Sequence, residues 1–439
     1  MFTEFISSHS VIISAALLIV AYFFIALEKI PKMTIALIGG AITIALGLVS
    51  QHKELAEGLN PHYFINFVDF NVIFLLVAMM IIVAITTRSG VFSWIANELL
   101  KFTKGHPVKV LFALGIFTAV TSAFLDNVTT VILIMPITFA IAQKLDIDPI
   151  PYLLTEIFTS NIGGTATLIG DPPNIIIGSA AGFSFMDFVK ELTLPIAIIM
   201  LIVLAVLALI FKKKLVADEE KMQQIAKLDN SKTITDKALM WRSMIVLGLV
   251  ILGFVLHDVV HLETCVVAML GASFLLVFEK PNEILKDVEW NTIFFFIGLF
   301  IIIGGLEASG GIKLMAEWIL KVTQGSQAAT SMLILWASGI ISGLIDNIPY
   351  TATMAPMLSE ISSLKSAEYA YPLWWALSLG ACLGGNMTII GAAANVIVSE
   401  NAAKQGHPIS FMRFLKYGVV VVAISLLIST AYVYFRYLA

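Results

Sequence analysis

The chain predicts an all-α polytopic membrane protein built as two inverted repeats, each with about five transmembrane helices, a re-entrant hairpin and a broken helix. Hydrophobic residues make up 59% of the 439 and charged residues only 13%, which leaves no soluble core to build. Two stretches about 220 residues apart copy one another: SAFLDNVTTVILIMP from Ser122 and SGLIDNIPYTATMAP from Ser342. Each places an Asp-Asn pair inside apolar sequence. An odd number of crossings per copy turns the second copy upside down relative to the first.

The elements follow in order. The N-terminal apolar run lacks a basic leader and continues into Ala26, so a retained helix near 10–28 is expected rather than a cleaved signal. Helices near 33–50 and 70–87 come next, then an amphipathic stretch at 91–104. The apolar arms Val108–Thr121 and Thr130–Ala142 are shorter than the roughly 20 residues of a full span, so a re-entrant hairpin is expected at about 107–143 with Asp126 at its tip. A glycine-interrupted segment at about 150–181 reads as a broken helix, and a helix at 188–211 closes the first repeat, 1–211. The linker at 212–239 is polar and mixed in charge, a tether between halves. The second repeat runs over 240–439, with its hairpin at about 328–361 and its broken helix at about 371–403. Register is fixed by VDFNVIFLLV from Val68 on VEWNTIFFFI from Val288, and by GGTATLIGDPPN (Gly163–Asn174) on GGNMTIIGAAAN (Gly384–Asn395).

Basic residues set the expected orientation. Lys29, Lys32, Arg88, Lys101, Lys104, Lys109, Lys144, Lys280, Lys286, Lys404, Arg413 and Lys416 fall on one side together with the linker. Only Lys53, Lys190, Lys313, Lys321, Lys365 and Arg436 fall on the other. The first side is then cytoplasmic and the N-terminus outside, in a bacterial or archaeal plasma membrane. A net charge of -4 argues against a nucleic-acid partner. Cys265 and Cys382 make neither a disulfide framework nor a cysteine metal site, and no cofactor is expected.

A carboxylate at the bilayer centre costs several kcal/mol unless it is neutralised, hydrated or paired. Asp126 and Asp346, with Asn127, Thr129 and Asn347 beside them, therefore point to a polar cavity. Either Asp also suits a helix N-cap, and the two roles are compatible. The breaks supply the rest of the candidate site: Asn161, Gly163, Gly164, Thr165, Thr167 and Asn174 in one copy, and Gly384, Gly385, Asn386, Thr388 and Asn395 in the other. Glycine is expected to let each helix unwind, so that freed carbonyls and hydroxyls hold an ion or a hydroxylated solute. Asp171-Pro172-Pro173 enforces the first break, where the second copy has Ala392-Ala393-Ala394. Asp171 reads either as a proton or cation site or as a cap. Glu156, whose counterpart is Leu377, reads either as a proton carrier or as a side chain that reaches the cytoplasmic interface. Cys382 reads as a small hydrophobe, and Trp374-Trp375 as an interface or packing pair. All seven histidines are expected in loops or at helix ends, which removes a Ser-His pair and leaves an intramembrane protease only the two aspartates. No enzyme activity is expected.

LDNVTT followed by NIGGTATLIGDPPN resembles the permeases grouped with the arsenite pump ArsB, the NhaD sodium/proton antiporters and the pigmentation P protein, within the ion transporter superfamily. GDPPN (Gly170–Asn174) looks closest to the arsenical-pump and P-protein branch. The resemblance implies a scaffold plus a moving unit of hairpins and broken helices that works by alternating access. Dicarboxylate carriers of that superfamily have Ser-Asn-Thr at each tip, where this chain has Asp126-Asn127-Val128-Thr129 and Asp346-Asn347-Ile348-Pro349. With no Lys or Arg expected in the core, Coulomb repulsion disfavours an anion. The expectation is export of arsenite or antimonite in exchange for protons, carried by Asp126, Asp346 and Asp171. Sodium/proton antiport is the alternative, and an anion or dicarboxylate carrier a more distant one. The partners implied are the lipid bilayer, the small inorganic substrate, protons or sodium, and a soluble ATPase such as some of these permeases allow. A homodimer stays open.

Overall fold

The computed structural model describes residues 5–6, 8–27, 29–50, 63–226, 230, 233–257 and 261–439. Lys53, His52 and His62 lie outside the described residues. The first copy comprises α1 (Ser10–Leu27), α2 (Lys32–Ala45), α3 (Phe70–Arg88), α4 (Val91–Thr103), α5 (Pro107–Ser122), α6 (Asn127–Leu145), α7 (Ile150–Gly164), α8 (Pro172–Ala181) and α9 (Phe185–Phe211). The linker holds α10 (Glu219–Ala226). The second copy repeats the set as α11 (Lys237–Val255), α12 (Thr264–Leu276), α13 (Trp290–Ala308), α14 (Gly311–Val322), α15 (Gln327–Leu344), α16 (Asn347–Leu364), α17 (Ala367–Gly384), α18 (Ala393–Lys404) and α19 (Phe411–Val433). Eight described helices are long and apolar enough to cross a membrane, while α2, α5 and α12 are shorter apolar helices. The helix expected at 33–50 stops at Ala45, and the chain continues through a tight turn at Leu48–Ser50.

Cross-copy packing carries the inversion. α2 packs against α13 and α3 against α12, so each copy's second helix lies on the other copy's third. The broken helices follow the same exchange, α8 against α16 and α18 against α6. The amphipathic helices α4 and α14 both start after a glycine with φ near +81° and +85° (Gly90 and Gly310), where the chain turns sharply out of a span.

Among the described residues, the ion pairs outside the site join each basic residue to an acidic one at its own end of the fold. Arg88 meets Asp287 at 2.6 Å, Arg413 meets Asp148 at 3.3 Å and Lys221 of the linker meets Asp146 at 2.8 Å, all on one side. At the other end Arg436 meets Glu191 at 3.1 Å. Lys32 departs from this pattern, and its departure matters below.

A candidate transport site between the hairpin tips

Asp126 and Asp346 are the N-caps of α6 and α16, so each carboxylate first satisfies the exposed amides of its own helix. Asp126 accepts from the Thr129 amide at 2.8 Å and from its hydroxyl at 2.5 Å. Asp346 accepts from the Ile348 amide at 3.0 Å and from Lys32 Nζ at 2.9 Å. Both tips therefore show the cap role.

The asparagine after each cap reaches further inward. Asn127 Nδ2 donates to Asp171 Oδ1 at 3.2 Å and to Asn161 Oδ1 at 3.1 Å. From the other copy, Asn347 Nδ2 donates to Asp171 Oδ2 at 3.3 Å. Asp171 stands at the start of α8 yet makes no side-chain cap bond. The cap reading of Asp171 is therefore overturned: its carboxylate, wholly buried, is the point where the two hairpin tips meet. The second copy has Ala392 there and offers no matching acceptor.

The breaks behave differently from expectation. Asn174 Nδ2 donates to the Thr165 and Thr167 carbonyls at 3.0 and 2.9 Å, and Asn395 Nδ2 donates to the Gly385 and Thr388 carbonyls at 2.7 and 2.8 Å. Carbonyls freed by the breaks are thus satisfied within their own copy, as buried backbone groups require. The hydroxyls of Thr167 and Thr388 donate to the carbonyls of Ala123 and Gly343, tying each break to its hairpin bend. Thr165 Oγ1 bonds back to the Asn161 carbonyl at 2.7 Å. Asn161 Nδ2 joins the copies, donating to Asn386 Oδ1 at 2.9 Å and Asn395 Oδ1 at 3.0 Å.

Gly163 and Gly384 stand in the last turn of their helices, α7 ending at Gly164 and α17 at Gly384, so the breaks begin at the glycine pairs. A Cβ on Gly163 would stand 2.2 Å from the Ala119 carbonyl oxygen, and one on Gly384 2.5 Å from that of Gly339. These glycines let the broken helix lie directly on the hairpin. Gly164 and Gly385 pack likewise on the Gly170 and Gly391 carbonyls of their own breaks.

Sequence reasoning missed Lys32, Glu289 and Thr292, and it placed no cation in the core. In the structure a cleft of about 670 Å³ is lined by Lys32, Glu289, Asn291, Thr292, Asp346 and Glu400. A water-sized void at its floor shares Lys32, Glu289 and Thr292 and adds Asp126, Asn127, Asp171 and Asn347. Lys32 reaches Asp346 because α2 starts beside the tip, with its ammonium 5.1 Å from the centre of the Phe295 ring on α13. Glu289 repeats Asp69 of the first copy, and that repetition was the one signal available for it.

A second, smaller cleft of about 200 Å³ is lined by Asn71, Val72, Ile175, Ser179, Glu263 and Thr264, among others. Asn71 and Ser179 are the counterparts of Asn291 and Glu400, so the two clefts are the same feature repeated upside down.

Three further expectations resolve. Glu156 is not at an interface: every residue of α7 is buried, and its carboxylate is bonded to the Thr138 hydroxyl. Trp375 is a packing residue, stacked on Phe183 with ring centres 4.7 Å apart. Cys382 is wholly buried, 3.5 Å from Asn174 Oδ1.

Inverted halves, paired clefts and a buried polar hub between broken helices define a polytopic membrane transporter. Residues 22–380 match the citrate transporter family, and the chain belongs to that family. It is 41% identical to the "46 kDa membrane protein" of Mycobacterium leprae over 431 residues, 97% of this chain and 99% of that one. The P protein of Mus musculus is 32% identical over 500 residues, covering 95% of this chain and 59% of its own length. Among solved structures, the Alcanivorax borkumensis YdaH transporter matches with a TM-score of 0.56 at 12% identity over 97% of both chains, a likeness of fold.

Proposed function

We propose that this protein is a secondary transporter that carries a small carboxylate anion of the citrate class together with protons or another cation, by alternating access between the two clefts. The observation that carries this reading is the Lys32 ammonium in the large cleft, 2.9 Å from a hairpin tip and above the Asp171 hub. Without Lys32 the carboxylates of Asp126, Asp171, Glu289 and Asp346 repel any anion; with it, one anionic group has a partner. The remaining negative charge has to be compensated before the loaded carrier crosses a low-dielectric barrier, so co-transported cations or protons belong to the cycle. Asp126, Asp346 and Asp171 are the groups proposed to carry them. The moving unit comprises the hairpins at about 107–143 and 328–361 and the broken helices that lie on them. The linker side is proposed to be cytoplasmic.

Export of arsenite or antimonite in exchange for protons is the second reading. The amides and hydroxyls of Asn127, Asn347 and Thr129 favour it, because they suit a neutral trihydroxide that does not need Lys32. Sodium/proton antiport uses the same carboxylates. Uptake by proteoliposomes separates the three. Labelled citrate or a smaller carboxylate should accumulate under an imposed proton or sodium gradient, and arsenite should not. Arsenite accumulation with no carboxylate movement would replace the first reading with the second.

A further inference from the structure

The Lys32–Asp346 ion pair joins a helix of the packed scaffold to the tip of the second hairpin. Lys32 is the first residue of α2, which is fixed against α13 along its length, whereas Asp346 caps α16. Its two ends therefore belong to elements that must separate if the tip moves.

The pair has no copy on the other side. The start of α12, the counterpart of the start of α2, is Thr264, and the counterpart of Asp346 is Asp126. Asp126 is instead closed on itself by both Thr129 donors. If the two copies exchange conformations, the large cleft becomes the small one, and nothing on the new side replaces the lost ion pair. The pair thus favours the access state seen here. Both residues line the large cleft, and the Lys32 side chain is 29% exposed against 9% for that of Asp346, so an entering anion meets the lysine first.

We propose that Lys32 is a specificity-determining residue that hands over from Asp346 to the anionic group of the substrate, and that this exchange releases the hairpin tip. The substrate half of this inference rests on the carboxylate reading above; the latch half does not. Asn291 and Thr292, in the first turn of α13, line the same wall beside Lys32. The substrate replaces Asp346 as the ammonium's partner, and the freed carboxylate becomes the group that a co-transported cation or proton must satisfy.

The test reads conformation and binding separately, in full-length protein with Cys265 and Cys382 changed to Ser. Thiol-labelling rates are compared at Glu400→Cys in the large cleft and Ser179→Cys in the small one. Lys32→Gln should lower the ratio of the two rates roughly fivefold, the scale of a partly buried ion pair, and Lys32→Arg should restore it. Citrate should lower the ratio in the parent in the same direction. The charge swap Lys32→Asp with Asp346→Lys should restore the ratio without restoring the citrate response. An unchanged ratio in Lys32→Gln overturns the latch. A lowered ratio with an unaltered citrate half-saturation in Lys32→Gln overturns the handover. If no carboxylate moves the ratio in the parent, the proposed substrate class fails, and the Lys32→Gln result still decides the latch.

Discussion

At the scale of single residues, the informative contrast is between Asp171 and Asn174, three positions apart on the same break. Asp171 receives an amide from each hairpin, whereas Asn174 spends its own amide on two carbonyls of its break. One is placed to sense both tips, the other to hold the break together. Asp171→Asn should keep the fold and abolish gradient-coupled accumulation, because the amide preserves shape and loses the charge. Asn174→Ala should destabilise by about 1–3 kcal/mol, since it strands buried carbonyls. Thermal unfolding in detergent checks both: a normal melting temperature in Asn174→Ala with transport lost would make Asn174 a substrate contact instead. Asp126 and Asp346 were legible in the sequence, because a charge in an apolar run stands out by itself. Lys32 was not. Its partner lies 314 residues away, and a lysine at a helix start beside a loop has the appearance of an interfacial anchor.

Among elements, the order of the hairpins, the broken helices and the amphipathic α4 and α14 was legible, since duplication fixed it; the arm lengths were not, because α6 (Asn127–Leu145) and α15 (Gln327–Leu344) run past the expected short arms and are long and apolar enough to cross a membrane. The role of the glycines was not, because crowding between α5 and α7 is a tertiary fact. A glycine that unwinds a helix and one that admits a neighbour's backbone look the same in sequence. Gly163→Ala should cost about 1–3 kcal/mol or more, as a methyl cannot fit 2.2 Å from a carbonyl oxygen without parting the two helices. Gly248→Ala on α11 is the control. Among the described residues, nothing beyond its own helix backbone lies within 4 Å of its would-be Cβ, and its melting temperature should hold. Equal melting temperatures for the two variants would contradict the close-approach account. Glu156 was misplaced for a related reason, as the distance from the hairpin's end did not reveal how soon α7 enters the core.

Across the whole molecule, inequality between the clefts is the feature that a transporter turns to use. Two copies of one sequence pattern here hold volumes of about 670 and 200 Å³, so pseudo-symmetry is broken, and in the proposed alternating access an exchange between the halves changes which side is open. Locking the contact that spans scaffold and tip should stop that exchange. Carbodiimide coupling of the native Lys32 amine to the Asp346 carboxylate, 2.9 Å apart, should arrest transport. Undiminished transport in the cross-linked protein would mean that the tip does not move relative to α2.

The central claim is that a carboxylate crosses with compensating positive charge through the site built on Asp171. Proton movement driven by substrate reads this most directly: proteoliposomes carrying a luminal pH dye and a symmetric salt solution receive citrate outside. Parent protein should acidify the lumen as citrate enters, and Asp171→Asn should not. If sodium replaces protons, the same citrate entry should require sodium and still vanish in Asp171→Asn. Citrate entry at the parent rate in Asp171→Asn, or no cation-dependent citrate entry in the parent, would contradict the account.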